Sequence, residues 1–458
     1  MKRIAIIGTG AYGSYAASLI CELHPEWDVH MYEIGDETVR DQDEMGLYSE
    51  VTDGHYGGLK KGRYFGFGGA TNKWGGQILT FSDNDFKNPS RYQKEIVELN
   101  KKYRQNVFKK VGIRNDEPEQ QLQDGMFTKT GVWLDYFNRN LFKKFAVRKQ
   151  SNVTLHPNHR VCRMLLDGKT VIGFETIYEG KSIVISDYDY YFLAAGAFET
   201  TRILMVSGVQ DKTCVEFSDH INKKVFRIKS GTKLGPIDFT FHIKGASFIT
   251  KRVIGERNGV PFFVYPTYNE DFPFFQNLKK LLFGRRISPA LIWSVLKDIP
   301  SFVCFLWYFV VLRKLYVYKS WYLVLHIENY RGSGKVSLSQ VIDSYGQPGV
   351  SVKFGISQKA ERLFDELKEE WTALLDKWNV EYEQVEDGIH TEKFEDEYHP
   401  CGLYSDFDSV DEYFSQFDNM LVIHSGVLPH AGGINSTAAG FPLVEEFVRE
   451  RMEKCVNS

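Results

Sequence analysis

The strongest constraint on what this chain folds into lies at its start, where the apolar run Arg3-Ile4-Ala5-Ile6-Ile7 passes directly into Gly8-Thr9-Gly10-Ala11-Tyr12-Gly13. The residues that follow, 11 to 23, carry small and apolar side chains at helical spacing, and Val29 to Tyr32 reads as a second strand ending on Glu33. Strand, glycine turn, helix and strand make a βαβ unit. Its glycines let a backbone approach a pyrophosphate at a helix N-terminus, where unpaired N–H groups favour anions. Glu33, twenty residues past Gly13, is placed to bind ribose hydroxyls. Gly8, Gly10, Gly13 and Glu33 therefore predict a dinucleotide site. The motif alone does not separate FAD from NAD, and its bland reading is a glycine turn used for packing.

A chain of 458 residues is too long for one ordinary core and suggests two or three domains, interleaved or in series. Its net charge of -3 and pI near 6.5 supply no field that would recruit nucleic acid, and no zinc-spaced Cys/His set is present. Neither nucleic acid nor a metal is expected. The cysteines Cys21, Cys162, Cys214, Cys304, Cys401 and Cys455 are scattered, which fits a reducing compartment. The short apolar start reads as a strand rather than a signal peptide, so the expected location is the cytoplasm.

Residues 45 to 80 are glycine-rich and poor in periodicity, and are expected to be an irregular ligand-wrapping loop. Residues 91 to 112 read as an amphipathic helix. Short strands fill 152 to 195 before AAGAFETTRILMVSG turns helical. From 216 to 389 the runs KVFRIKS, PIDFTFHIKG, WYLVLHIEN and GKVSLSQ alternate β-branched and aromatic residues, as an antiparallel sheet would, with a charged helix over 357 to 378. The last 60 or so residues return to strand, glycine turn and helix. The expected architecture is α/β: a Rossmann-type domain built from separated segments, 1–215 and 390–458, with an α+β substrate domain over 216–389.

Five segments carry a resemblance along nearly the whole chain and in one order. They are Gly68-Gly69-Ala70-Thr71-Asn72-Lys73-Trp74-Gly75-Gly76; Val161 in HPNHRVCRML with Gly196 in AAGAFE; Phe217-Ser218-Asp219-His220; GKVSLS with Asp343 and Gly346; and Tyr398-His399-Pro400-Cys401-Gly402 followed by Gly432-Gly433-Ile434-Asn435-Ser436-Thr437. Together they resemble the glucose-methanol-choline (GMC) family of FAD-dependent oxidoreductases, in its cholesterol-oxidase-like and sugar-oxidising branch. The resemblance implies non-covalent FAD. It assigns Gly69, Thr71, Asn72, Trp74 and Gly75 to a loop beside the flavin ring, Val161 to the adenine, and Gly196, His424, Ser425, Ser436 and Thr437 to the cofactor. It also implies that His399 and Asn435 face the flavin. His399 would be the base that takes a hydroxyl proton while a carbinol hydride leaves for flavin N5, and Asn435 would hold the substrate oxygen. The bland readings are a satisfied histidine and an asparagine that only caps the last helix.

Two departures matter. His424-Ser425-Gly426 stands where many members have Asp-Ala-Ser, and Asn435-Ser436 replaces Asn-Pro. Lys73 stands where some sugar-oxidising members carry a flavin-linking histidine, so a covalent cofactor is not expected. The implied substrate is an alcohol or sugar, lipid-linked in one version, with oxygen, a quinone or a protein as electron acceptor. The alternatives are a flavin-dependent lyase or isomerase on the same frame and a non-catalytic, membrane-associated flavoprotein.

Residues 279–319 hold eight Lys or Arg, one acid, and an apolar run from Ile299 to Leu312 that is too short for a span. Two readings stand: an interfacial segment that brings the protein to the inner face of a membrane, or a helical excursion packed within the protein or a dimer.

Overall fold

The computed structural model describes residues 1–114, 117–135, 138–244, 247–268, 272–274, 276–277, 280, 288–385 and 394–452. Position 279 and residues 281–287 of the basic insertion, and Cys455, lie outside them.

Arg3–Ile7 is a strand whose apolar residues are buried, as a central strand covered on both faces requires. It lies in a five-stranded parallel sheet between Tyr190–Leu193 and Asp28–Tyr32, with Met420–Val422 and Val153–His156 outermost. Three of these strands come from the first 160 residues and one from the end of the chain, so the domain is assembled from separated segments. The strand order reverses direction between Arg3–Ile7 and Tyr190–Leu193, and the carboxyl ends at that switch point are where such folds bind ligands. The helix Ala11–Leu23 has the expected bounds and packs through Gly13, Ser14, Ala16 and Ala17. Arg91–Lys110 is capped by Ser90, whose hydroxyl accepts the Gln93 N–H, and stops where Gly112 turns at φ +73°.

The second region is a ten-stranded sheet whose centre pairs His220–Lys229, Ser320–Glu328, Val260–Tyr268, Ser247–Arg257 and Met126–Trp133, all antiparallel. Helix Gln358–Lys377 buries Ala360, Leu363, Phe364, Leu367, Trp371 and Leu374, one face at helical spacing. The fold is mixed α/β with a Rossmann-type parallel sheet and an antiparallel second sheet.

The expectation of an irregular loop over 45–80 is corrected. Ser49–Gly54 pairs in parallel with Pro348–Phe354 in a separate four-stranded sheet, and Gln77–Ile78 pairs with Met126–Trp133 at the edge of the large one. A polar stretch such as SEVTDG shows no strand pattern of its own; backbone pairing with a distant strand makes it one. The loop is thereby pinned at one end to the four-stranded sheet and at the other to the ten-stranded one, with Gly69–Asn72 between them as a short 3-10 turn.

Candidate functional site

A cavity of about 540 Å³ runs from the switch point of the parallel sheet to the face of the antiparallel one. At the first end, Gly8 sits at φ +99° and donates its N–H to the Tyr32 carbonyl at 2.8 Å. A Cβ there would lie 2.4 Å from the Ala194 oxygen. The three fingerprint glycines have different tasks. A Cβ on Gly13 would meet the Gly8 oxygen at 1.9 Å, so Gly13 is a close-packing contact between helix and strand and does not line the cavity. A Cβ on Gly10 would meet nothing within 4 Å, and the same is true of one on Gly196 at the start of helix Ala197–Val206. Gly10 and Gly196 thus leave open space beside helix N-termini, which fits the phosphates of a dinucleotide.

Glu33 also lines this end. One of its oxygens accepts from Thr9 N–H and Thr9 Oγ1–H, the other from Gly35 and Gly66 N–H. These four bonds fill the ordinary capacity of a carboxylate, so a ribose hydroxyl would share an oxygen with one of them. Val161 lines the cavity while its carbonyl accepts from Arg202 Nη2 at 2.8 Å. That arginine belongs to a buried cluster with no local sequence signature: Arg63, Arg160 and Arg202 converge on Glu199, and Arg160 also reaches Asp343 at 3.0 Å. Burial alone would raise Glu199, but the Arg160, Arg202 and Arg63 guanidiniums outweigh it and hold the carboxyl down at about 2. Arg63, Arg160 and Glu199 all face the cavity, with cations in excess.

Along the middle, Gly69, Thr71, Trp74 and Gly75 line the wall, and Asn72 does not. The Asn72 amide is spent inside the loop on the carbonyls of Phe67 and Gly69, and Trp74 Nε1 donates to Arg139 at 2.7 Å. His424, Ser425 and Thr437 line the opposite wall, while Ser436 is buried behind it. His424 Nδ1 accepts from Gly426 N–H, and burial drives this imidazole down to about 3. Its Nε2 has no protein partner, which suits a wall made to meet a polar group; the Ser436 hydroxyl, behind the wall, is also unpartnered.

At the far end the structure brings His399 and Asn435 together, with Nε2 and Nδ2 3.5 Å apart. Local chemistry sets the histidine. Pro400 restricts it to extended backbone, Tyr398 before it turns at φ +63°, and the bridge between Ser218 and Cys401 fixes the segment against the second sheet. Both oxygens of buried Asp219 accept the His399 N–H at 3.0 and 3.1 Å, and Asp219 also takes the Tyr56 hydroxyl and the His220 N–H. With His220 and His399 this carboxyl offers atoms within 4.8 Å of one another, a spacing that would suit a metal. Its oxygens are already occupied by these donors, the mark of a positioning clamp. Burial, then Asp396, pushes Asp219 well above the ordinary carboxyl range.

Asn435 precedes the turn but does not cap it through its side chain. Its Oδ1 accepts from Arg252 Nη2 at 2.6 Å, which leaves the amide N–H groups directed at His399 and the cavity. The expected helix opening at Asn435 is corrected: Ser436–Gly440 is a 3-10 turn, and the α-helix begins only at Phe441, with Pro442 in its first turn where proline is favoured. Arg252 is fully buried, donates also to Gln77 and to the Gly433 carbonyl, and lies 4.4 Å over the Phe263 ring. Burial lowers it to about 10. Burial, then His220 and Arg252, depresses His399 to about 3, so the imidazole is neutral. Glu397, two residues before His399, faces the same space, and burial raises it to about 7. Cys401 is buried against Ser218, and burial raises its thiol well above the usual range, which makes it an inert neighbour.

The loop before Asn435 is latched by Glu328, which accepts the Ala431 and Gly432 N–H groups at 2.9 and 3.2 Å and contacts His430. Arg252, Glu397 and Glu328 were not singled out by the sequence reading. The sequence offers little signal for Arg252: it stands beside Lys251 in the strand SFITKRVIGER, and only its place on the same face as Thr250 and Ile254 sets it apart.

No protein-family model and no curated protein matches the sequence. Among solved structures, the crystal structure of pyridoxine 4-oxidase from Mesorbium loti is similar to it, with a TM-score of 0.59 and 15% identity over 99% of each chain. Likeness at that identity speaks for the fold, and it extends over the parallel and antiparallel regions together.

Proposed function

We propose that the protein is an FAD-dependent oxidoreductase of GMC type that oxidises a CH–OH group, with a sugar or sugar derivative as the preferred substrate class. The observation that carries this reading is the convergence of neutral His399 and donor-presenting Asn435 at one end of a cavity whose other end is the glycine fingerprint. Bound non-covalently there, FAD would supply the hydride acceptor. Gly8, Gly10, Gly196 and the wall from Gly69 to Gly75 would hold it, and Arg63 supplies a nearby cation.

His399 does the proton work. A hydroxyl placed between His399 Nε2 and Asn435 Nδ2 would give its proton to the imidazole and accept from the amide. Arg252, through Asn435 Oδ1, fixes which end of that amide points at the substrate. Its charge also favours the developing negative oxygen. Asp219 positions the histidine backbone and Glu328 the loop carrying the asparagine. Oxygen, a quinone or a protein would reoxidise the cofactor.

The experiment is anaerobic bleaching of the blue absorption of oxidised flavin by a panel of sugars, sugar derivatives, lipid-linked sugars and simple alcohols, with His399→Ala beside wild type. Bleaching by one class, slowed by about two or more orders of magnitude in the variant, is the expected result. A colourless protein would remove the flavoenzyme reading. A yellow protein that no substrate bleaches would move weight to a lyase, an isomerase or a non-catalytic role.

A further inference from the structure

Helices Pro289–Lys297 and Ile299–Val310 contain no buried residue. Trp293, Leu296, Val303, Trp307 and Val310 are 69, 50, 57, 58 and 63% exposed. The second helix, IPSFVCFLWYFV, is apolar on every side: Phe302, Phe305 and Phe309 pack against Phe274, Phe272 and Phe248, and the rest of its surface, equally apolar, faces outward and calls for an apolar surrounding there. No single helix among the described residues is long and apolar enough to cross a membrane. These two meet the length and composition of a span only together and are bent by 47°. Twelve residues reach roughly 18 Å. That is a little more than half of a hydrocarbon layer about 30 Å thick, or one leaflet.

Charge selects the surface. Residues 279–319 carry eight Lys or Arg against one acid in a chain whose total charge is -3. Lys297, Arg313, Lys314 and Lys319, which flank the apolar stretch, are exposed, while the one acid, Asp298, accepts from Asn277 at 3.2 Å. Exposed tryptophans with flanking cations are the composition of a segment resting in an anionic headgroup layer.

The hairpin is also tied to the cavity. Phe309 meets Phe248 at 5.8 Å, Phe248 meets Phe241 at 6.3 Å, and Phe241 meets Trp133 at 5.8 Å between ring centroids. Trp133 lines the cavity. An unbroken aromatic row thus leads from the exposed helices to the site.

We infer that residues 289–312 dip into one leaflet of an anionic lipid bilayer and seat the protein with the Trp133 side of its cavity toward the lipid. A bilayer-dissolved alcohol or quinone is then the class of reactant the cavity takes, a clause that rests on the flavin reading above.

The test is flotation of the full-length protein with vesicles of phosphatidylcholine alone and of phosphatidylcholine with phosphatidylglycerol, at low and high salt, beside Val303→Glu/Trp307→Glu. Wild type should float with the anionic vesicles and keep part of that binding in high salt. The double variant should lose at least about tenfold of it, since an acid in hydrocarbon is strongly unfavourable. Neither residue lines the cavity, so the melting temperature and flavin absorbance of the variant should match wild type. Flavin content is read on the same samples, so a failure of the cofactor reading shows separately. Absence of flotation with either vesicle, or equal flotation of the variant, overturns the inference. A stable dimer in lipid-free solution that Trp307→Glu dissociates also overturns it, because a second copy would then cover the hairpin.

Discussion

Glu397, rather than His399, should set the pH dependence of the reaction between about pH 5 and about pH 8. Both groups face one cavity, yet burial moves them in opposite directions: the carboxyl rises to about 7 and the imidazole falls to about 3. A group that titrates near 3 is neutral through the whole range and contributes no inflection there. Glu397 changes from acid to carboxylate as the pH rises through 7. The carboxylate places a negative charge opposite Arg252, the cation that together with burial and His220 makes imidazolium unfavourable at His399. Ionised Glu397 therefore strengthens the base, and kcat/KM, which reports groups of the free enzyme, should rise with pH through about 7.

The size follows from the linkage between basicity and free energy. Each unit gained by His399 is worth about 1.4 kcal/mol, so a one-unit gain gives a step of up to about tenfold. The assay is stopped-flow anaerobic flavin reduction across that range for wild type and Glu397→Gln. Glutamine keeps the shape and can still accept the 2.9 Å bond from Asn222, but it cannot ionise. Its profile should be flat at the low-pH level of wild type. An inflection near the ordinary histidine value of 6.5 that survives in Glu397→Gln would show the imidazole titrating in the free protein, and the reasoning would fail.

Other outcomes follow from single contacts. Gly13→Ala drives a Cβ against the Gly8 oxygen and should cost about 3 kcal/mol or more in urea unfolding. Gly10→Ala meets open space and should leave the melting temperature of the apoprotein unchanged while abolishing flavin retention; equal flavin content in that variant would place the cofactor elsewhere. Arg252→Met frees the Asn435 amide and strands Gln77 and the Gly433 carbonyl. Flavin reduction should slow by about 10²–10³-fold, with about 1–3 kcal/mol lost in urea unfolding. Glu199→Gln leaves three buried guanidiniums short of a partner, at a cost of about 3–5 kcal/mol. Because the folded protein lowers this carboxyl from 4.5 to about 2, its stabilisation is present above pH 4.5 and lost as the pH falls toward 2; urea curves across that window should show the slope in wild type and lose it in the variant.

What the sequence made legible and what it hid divide by the range of the interactions involved. Arg3–Ile7, the glycine turn and Ala11–Leu23 have the expected bounds because neighbours decide them: an apolar run, a turn that needs φ above zero, and small residues at helical spacing. The helices Arg91–Lys110 and Gln358–Lys377 are legible for the same reason, each with a serine cap and one apolar face. Ser49–Gly54 was hidden because its strand state comes from Pro348–Phe354, about 300 positions away. The site is long-range throughout. His399 is anchored by Asp219 at a separation of 180 residues, and Asn435 is oriented by Arg252 at 183. Motif resemblance nominates His399 and Asn435 as facing a flavin, while the residue type alone leaves open an asparagine that only caps the last helix. The bond from Arg252 argues for the second by occupying the acceptor and leaving the donors free. A chain that buries an arginine against Phe263 to orient one amide accepts a desolvation cost that a cap would not require, and that cost is the physical argument for function at this end of the cavity.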